Sequence, residues 1–431
     1  MDIAQLYQCY LSSTGVTTDT RQIKSGSIFF ALKGDKFNAN DFAIEALQKG
    51  AAYAIIDEAQ PGGEEYKDKL ILVSDVLTTL QELAGYHRHQ LKCPVLAITG
   101  SNGKTTTKEL IAAVMAKKFR TVATQGNLNN HIGVPLTLLG TPVDTEFLIV
   151  EMGANHQKEI AGYCVYADPD WGLITNIGKA HLEGFGGVEG VIKGKTELYQ
   201  YIAKKGGKLF VSSGSDILTA KANEYVKQDH IIYYGQREND HCAGTIISAG
   251  DFLTVRTNDG SIVKTQLVGN YNFENVMAAI CIGKYFGVED SSIKDAIENY
   301  VPSNNRSQKL VIGSNTILLD AYNANPSSMA EALRNFDKLE APNKITILGE
   351  MMELGEYSQD EHIKIIDAVN QMHLSKCIYV GEGFKILKGQ AGVLYFETTE
   401  LLKDWYKAQH FENTTQLIKG SRKNALEKIL Q

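Results

Sequence analysis

Apolar positions in this chain fall into short runs punctuated by Gly, Pro, Asn and Asp, with no long uninterrupted stretch. Ser27-Ile28-Phe29-Phe30-Ala31-Leu32 and Tyr53-Ala54-Ile55-Ile56-Asp57 read as strands around a helical stretch from Phe42 to Lys49, which predicts a small α/β unit. A helical segment from Thr78 to Leu91 leads to Pro94. Beyond it, strands at Val95 to Thr99, Phe147 to Val150, Gly172 to Asn176 and Lys208 to Val211 alternate with helices. That alternation predicts a mostly parallel sheet covered on both faces. Between about residues 230 and 268 the period drops to two, with Asn258-Asp259-Gly260 as a hairpin turn, so an antiparallel patch attached to the central unit is expected. A helix from about Asn272 to Phe286 comes next. After Pro302, strands near Lys309 to Val311, Ile317 to Asp320, Ile345 to Leu348 and Cys377 to Val380, with helices such as Gln359 to Met372, predict a second doubly wound sheet.

With 431 residues the chain exceeds one ordinary core, and the changes of pattern divide it into three α/β domains: 1–84, 85–306 and 307–431. Its 43% hydrophobic and 22% charged residues are those of a globular protein. A net charge of −7 without a Lys/Arg block gives no reason to expect nucleic acid or an anionic membrane as partner. Any phosphate must then be held by a local site. The six cysteines lack a CxxC pair, and the N-terminus lacks a basic leader. Both point to a reduced, cytoplasmic protein without stable membrane insertion.

The sharpest chemical signal is Gly100-Ser101-Asn102-Gly103-Lys104-Thr105-Thr106, directly after one expected strand and directly before a helix. Small residues let successive backbone N–H groups face a phosphate, Lys104 supplies charge at its β/γ end, and the Thr105 hydroxyl suits Mg²⁺. The position six before Lys104 is Ile98, where the general P-loop pattern has Gly. Glu151 ends the next strand, at the sheet edge where ligands gather, and offers a hard oxygen for Mg²⁺. Taken alone, a Glu at a strand end is more often a helix cap or a solvated residue. His181 lies just beyond a third strand, and fourteen positions later Lys195 stands in Lys-Thr-Glu, by itself an ordinary helix lysine. Asn272 and Asn275 open a helix, where their amides suit either capping or adenine.

The tight loop resembles the ATP loop of the Mur ligases and the related folylpolyglutamate synthases. Further segments carry the same resemblance from about Asp19 to Arg422: Asp320-Ala321-Tyr322-Asn323-Ala324-Asn325-Pro326, Gly126 to Leu136, Gly349 to Gly355, and Lys419-Gly420-Ser421-Arg422. The resemblance implies a first domain that binds a UDP-sugar, a central P-loop ATPase domain, and a Rossmann-like third domain that brings the incoming amine. It also implies ATP and two Mg²⁺ ions, with Thr105 and Glu151 on one metal. By the same resemblance, His181 and a Lys195 carbamylated by CO₂ serve the other. Asn272, Asn275, Arg306 and Asp320 are then the implied ATP contacts, although Tyr271 replaces the family's usual His beside the adenine segment. Thr20, Arg21, Asn129, Asn130, Tyr322, Asn323 and Asn325 are the implied substrate contacts, although the first domain's usual turn appears here as Asn38-Ala39-Asn40-Asp41. The implied reaction joins D-alanyl-D-alanine to a UDP-N-acetylmuramoyl-tripeptide through an acyl phosphate, in a monomer. Another Mur ligase, a folylpolyglutamate synthase-like ligase, a P-loop kinase and a non-catalytic nucleotide switch are the rival readings, and product analysis separates them.

Overall fold

A computed structural model describes residues 1–303 and 305–431. The first unit is a four-stranded parallel sheet in the order Val16–Thr17, Ile28–Phe30, Tyr53–Ile56, Leu70–Leu72, with a small hairpin, Lys33–Gly34 and Phe37–Asn38, beside it. Its buried strands need cover on both faces. The helix Ala43–Gln48 covers one face through Ala43, Ala46 and Leu47. Ile28, Phe30 and Ile55 join a larger apolar cluster that includes Leu80, Leu83 and Ala84 of the helix Val76–Arg88. That helix runs unbroken through residue 84, so the passage from the first to the second unit is helical.

The central sheet has nine strands among the described residues, in the order Ile262–Lys264, Thr254–Thr257, Cys242–Ser248, Ile231–Gly235, Lys208–Ser212, Trp171–Ile174, Val95–Thr99, Phe147–Glu151, Thr121–Ala123. The expected antiparallel patch needs correcting. Ile231–Gly235 and Cys242–Ser248 extend the sheet in parallel, and only the last two strands turn antiparallel. The two-residue period belongs to Thr254–Thr257 and Ile262–Lys264, whose residues alternate between buried and exposed at the edge of the same sheet.

Val95–Thr99 lies between strands reached by opposite crossovers, which makes its carboxyl end a switch point where ligands bind. Register sets the rest: Ile98 faces Glu151 and Thr99 faces Ile174, so three strand ends finish at one level. The third sheet is ordered Gln308–Ile312, Asn315–Asp320, Thr415–Lys419, Lys344–Gly349, Lys376–Val380, Leu394–Phe396, parallel except for the first hairpin. Its helix Pro326–Lys338 begins cleanly because Asn325 accepts from Ser328 N in a capping box and Pro326 takes the first turn. No helix among the described residues is long and apolar enough to cross a membrane.

Candidate functional site

A cavity of 1090 Å³ opens between the carboxyl edge of the central sheet and the third unit. Its floor is the loop after Val95–Thr99. Gly100 has φ 142°, and a Cβ there would sit 2.0 Å from Thr175 Oγ1, so only glycine permits the approach. Gly103, at φ 77°, then turns the chain into the helix Lys104–Met115, and Ser101 through Thr106 line the cavity. Lys104 Nζ donates to the carbonyls of Gly100, at 2.6 Å, and Ser101, at 3.3 Å. Burial pushes its pKa down to about 8, against the Glu151 carboxylate and with the help of Arg306.

Glu151 is almost wholly buried in this wall. Its Oε1 accepts from Thr105 Oγ1 at 3.2 Å and from Asn129 Nδ2 at 2.8 Å, while Oε2 has no hydrogen-bond partner among the described residues. Lys108 Nζ approaches Oε2 only to 3.9 Å. A buried carboxylate oxygen left open beside a hydroxyl suits a hard cation. Among the described residues no three His, Cys, Asp or Glu side chains cluster as a ready metal cage. Mg²⁺ commonly completes its shell with phosphate oxygens and water, so one carboxylate and one hydroxyl fit it.

His181 also lines the cavity, at φ 53°, with Nδ1 against Glu353 Oε2 of the third unit. Lys195 lies behind the wall, wholly buried, where its Nζ donates to Ala154 O at 3.0 Å and sits over the Phe185 ring. Burial, reinforced by the Lys104 charge, holds the Lys195 amine well below the usual lysine range.

The adenine candidates are internally tied: Asn272 Nδ2 donates to Val268 O at 2.8 Å, and Asn275 Nδ2 donates to Asn272 Oδ1 at 2.9 Å. Neither of these bonds is a helix cap; both residues line the cavity. Arg306 stacks on Tyr322, 3.6 Å from ring centroid to guanidinium carbon, and its buried Nε has no hydrogen-bond partner among the described residues. Asp320 accepts from Lys419 Nζ, and Asn323 and Asn130 complete the lining on either side. Asn130 Oδ1 accepts from Ile132 N at 3.1 Å and Gly133 N at 2.8 Å just ahead of the helix Gly133–Leu139. Asn325 lies just behind the surface, where its Nδ2 donates to Asn102 Oδ1 at 2.7 Å and ties the third unit to the phosphate loop. Thr20 and Arg21 do not line this cavity; Arg21 is exposed on the first unit and paired with Asp19 at 2.7 Å.

Three stretches match family models: "Mur ligase family, catalytic domain" at 12–88, "Mur ligase middle domain" at 98–283, and "Mur ligase, glutamate ligase domain" at 305–427. Over 433 aligned residues the chain is 33% identical to the UDP-N-acetylmuramoyl-tripeptide--D-alanyl-D-alanine ligase of Escherichia coli, covering 96% of this chain and 92% of that one. The chain belongs to the Mur ligase family. The enzyme of the same name from Bacillus subtilis is 31% identical over 95% of this chain and 88% of its own. The MurF crystal structure from Acinetobacter baumannii superposes with a TM-score of 0.86 at 28% identity, covering 99% and 97% of the two chains. Two ion pairs of this Mur ligase's cavity could not be read as pairs in the linear sequence. Lys419 faces Asp320 only through strand register, and Lys179 reaches Glu361 of the third unit at 2.8 Å. Lys108, one helical turn after Lys104, lies behind the cavity, where its Nζ donates to Thr124 O at 2.7 Å.

Proposed function

We propose that this Mur ligase uses ATP to join the C-terminal carboxylate of UDP-N-acetylmuramoyl-tripeptide to the amine of D-alanyl-D-alanine. The observation that carries the reading is the direct tie between the phosphate loop and the turn opening the third unit's helix, Asn102 to Asn325, within a chain similar along its length to ligases of that name. ATP would lie along Ser101 to Thr106, with adenine at Asn272 and Asn275 and the γ-phosphate toward Arg306 and Lys104. A carboxylate oxygen of the tripeptide attacks the γ-phosphorus and ADP leaves. The dipeptide nitrogen then attacks the acyl carbon, phosphate departs, and the nitrogen loses a proton to give the amide. Lys104 and Arg306 neutralise charge on the phosphoryl group in flight.

Thr105 and Glu151 would hold one Mg²⁺, and His181 and Lys195 a second; bound there, the metals supply further charge neutralisation. The depressed pKa of Lys195 supports its carbamylation, because a neutral amine is what attacks CO₂. The nitrogen forms a bond to carbon as one C=O π bond opens onto oxygen, the nitrogen releases a proton, and an anionic oxygen ligand stands where the neutral amine was. Asn129, Asn130, Tyr322, Asn323 and Asn325 flank the path of the peptide, and Thr20 and Arg21 the UDP end. A UDP-linked substrate, ATP and six free cysteines agree with the cytoplasm.

Turnover with UDP-N-acetylmuramoyl-tripeptides ending in lysine or diaminopimelate tests the reading. ADP, phosphate and a UDP-linked pentapeptide are expected only when D-alanyl-D-alanine is present. Faster consumption of D-glutamate, lysine or glutamyl-folate would overturn the acceptor, and AMP formation would overturn the acyl phosphate.

A further inference from the structure

The segment from Gly349 to Gly355 stands out in the sequence yet plays no part in the chemistry above. It leaves the carboxyl end of strand Lys344–Gly349 and reaches the His181 turn of the central unit at three points. Glu353 O accepts from Glu183 N at 3.4 Å. Gly355, at φ +54°, lies so near Glu183 that an added Cβ would stand 3.1 Å from Glu183 Cγ. The third point is the Glu353 carboxylate against His181 Nδ1.

Both partners hold left-handed backbone, φ 53° at His181 and 61° at Glu353. Such a conformation costs a non-glycine residue roughly 1–3 kcal/mol and persists where its surroundings determine it. Here two such residues, from different domains, are aimed at one another. Burial does not explain the pairing, because the Glu353 side chain is 51% exposed and water could satisfy it. Nor does the loop need the pairing to keep its shape. Glu350 accepts from Gly383 N at 3.0 Å, and His362 Nε2 accepts from Met351 N at 3.0 Å, which pins the segment to its own domain.

We propose that Glu353 is a positioning residue for His181, supplied across the domain boundary. A carboxylate on Nδ1 fixes the tautomer that leaves the Nε2 lone pair for a cation, and such partners typically change metal affinity about 10- to 100-fold. The imidazole is therefore set only while the third unit is docked. Domain closure completes the second metal site, and an open molecule holds that metal weakly. The inference rests on the reading of His181 as a metal ligand.

Manganese binding to the full chain with a non-hydrolysable ATP analogue, followed by the electron paramagnetic resonance of free Mn²⁺, tests it apart from catalysis. Glu353→Ala should weaken the second manganese about tenfold or more while leaving the first manganese and the nucleotide unchanged. Glu353→Gln keeps an acceptor on Nδ1 without the charge and should fall between wild type and alanine. Two manganese ions bound with wild-type affinity in both variants, or both ions weakened equally, would overturn the proposal. A His181→Ala control separates the levels. Loss of the second ion in His181→Ala but not in Glu353→Ala removes only the role of Glu353; wild-type binding of both ions in His181→Ala removes the metal reading of His181 itself.

Discussion

The central domain meets its two neighbours through junctions of opposite character. Toward the first domain, the polar groups are buried: His87 lies between Tyr7 OH, at 3.0 Å, and Thr141 O, at 2.8 Å. The helix Val76–Arg88 that crosses this joint is anchored at its far end, where the guanidinium of Arg88 donates to Ala167 O and Asp168 O, both at 3.0 Å, and to Asp170 Oδ2 at 3.1 Å. Toward the third domain, the crossing pairs are wet. Lys179 with Glu361, Asn102 with Asn325 and His181 with Glu353 each include a partly or largely exposed side chain. One apolar cluster touches both junctions, so the difference lies in what separation does to the polar groups. Opening the first junction strands buried donors and acceptors; opening the second returns its groups to water. The first therefore behaves as a fixed joint and the second as the moving one, and the groups proposed to react sit at the moving one.

The largest effect should come from the chemistry proposed for the moving junction. Lys104→Ala removes a charge aimed at phosphate, and Lys195→Ala removes the expected carbamate. Each should lower turnover about 10²- to 10³-fold or more, as loss of a preorganised charge does. The unfolding midpoint of Lys104→Ala should stay near wild type, and acetate should partly restore the turnover of Lys195→Ala. Ordinary kinetics in either variant would break the assignment of that residue.

At the fixed joint the converse holds. Arg88→Ala leaves the buried Ala167 carbonyl without its donor, while Asp168 O keeps Lys205 Nζ at 2.8 Å and Asp170 Oδ2 keeps Val95 N at 2.9 Å, and should cost about 1–3 kcal/mol of stability. Calorimetry should show the loss while KM for ATP is unchanged in the protein that remains folded. A stability change near zero would mean that this joint is as loose as the other.

How much of this was legible depended on whether a signal was local. The phosphate loop, the Glu151 strand end and the Asp320 to Asn325 turn each lie within a few residues of a strand boundary, so letters and geometry coincide. The strand Thr415–Lys419 hides, although all five residues are buried at the middle of the third sheet. Gln416 is satisfied by Tyr406 OH at 2.7 Å and by Thr414 Oγ1 at 2.9 Å, and Lys419 by Asp320, so polar letters occupy core positions. His181 and Glu353 are 172 positions apart, and only the folded domains bring them together.

A smaller effect sharpens the contrast. Lys179→Gln removes an interdomain ion pair at the moving junction, but Lys364 still donates to Glu361 at 2.8 Å. Stability should change by less than about 0.5 kcal/mol. If the pair favours closure, KM for D-alanyl-D-alanine should rise a few-fold. An unchanged KM would confine closure to the Asn102 and Glu353 contacts.

The smallest effect is acid sensitivity of the fixed joint. Thr141 O can only accept, so His87 Nε2 carries the proton and Nδ1 accepts from Tyr7 OH. Burial lowers the His87 pKa below 6.5, outweighing the Thr141 carbonyl, so the folded joint resists a second proton that the unfolded chain accepts. Stability from this group is complete above pH 6.5. It falls as pH drops from there toward the folded pKa, with a limiting slope of about 1.4 kcal/mol per pH unit for one proton. His362, lowered by burial in the third domain, adds a slope of the same sign. Unfolding midpoints measured between pH 7.5 and 5.5 should decline less steeply in His87→Gln than in wild type, with the remainder assigned by His362→Gln. Parallel curves for wild type and His87→Gln would show that water reaches the joint, and the contrast between the two junctions would then rest on Arg88 alone.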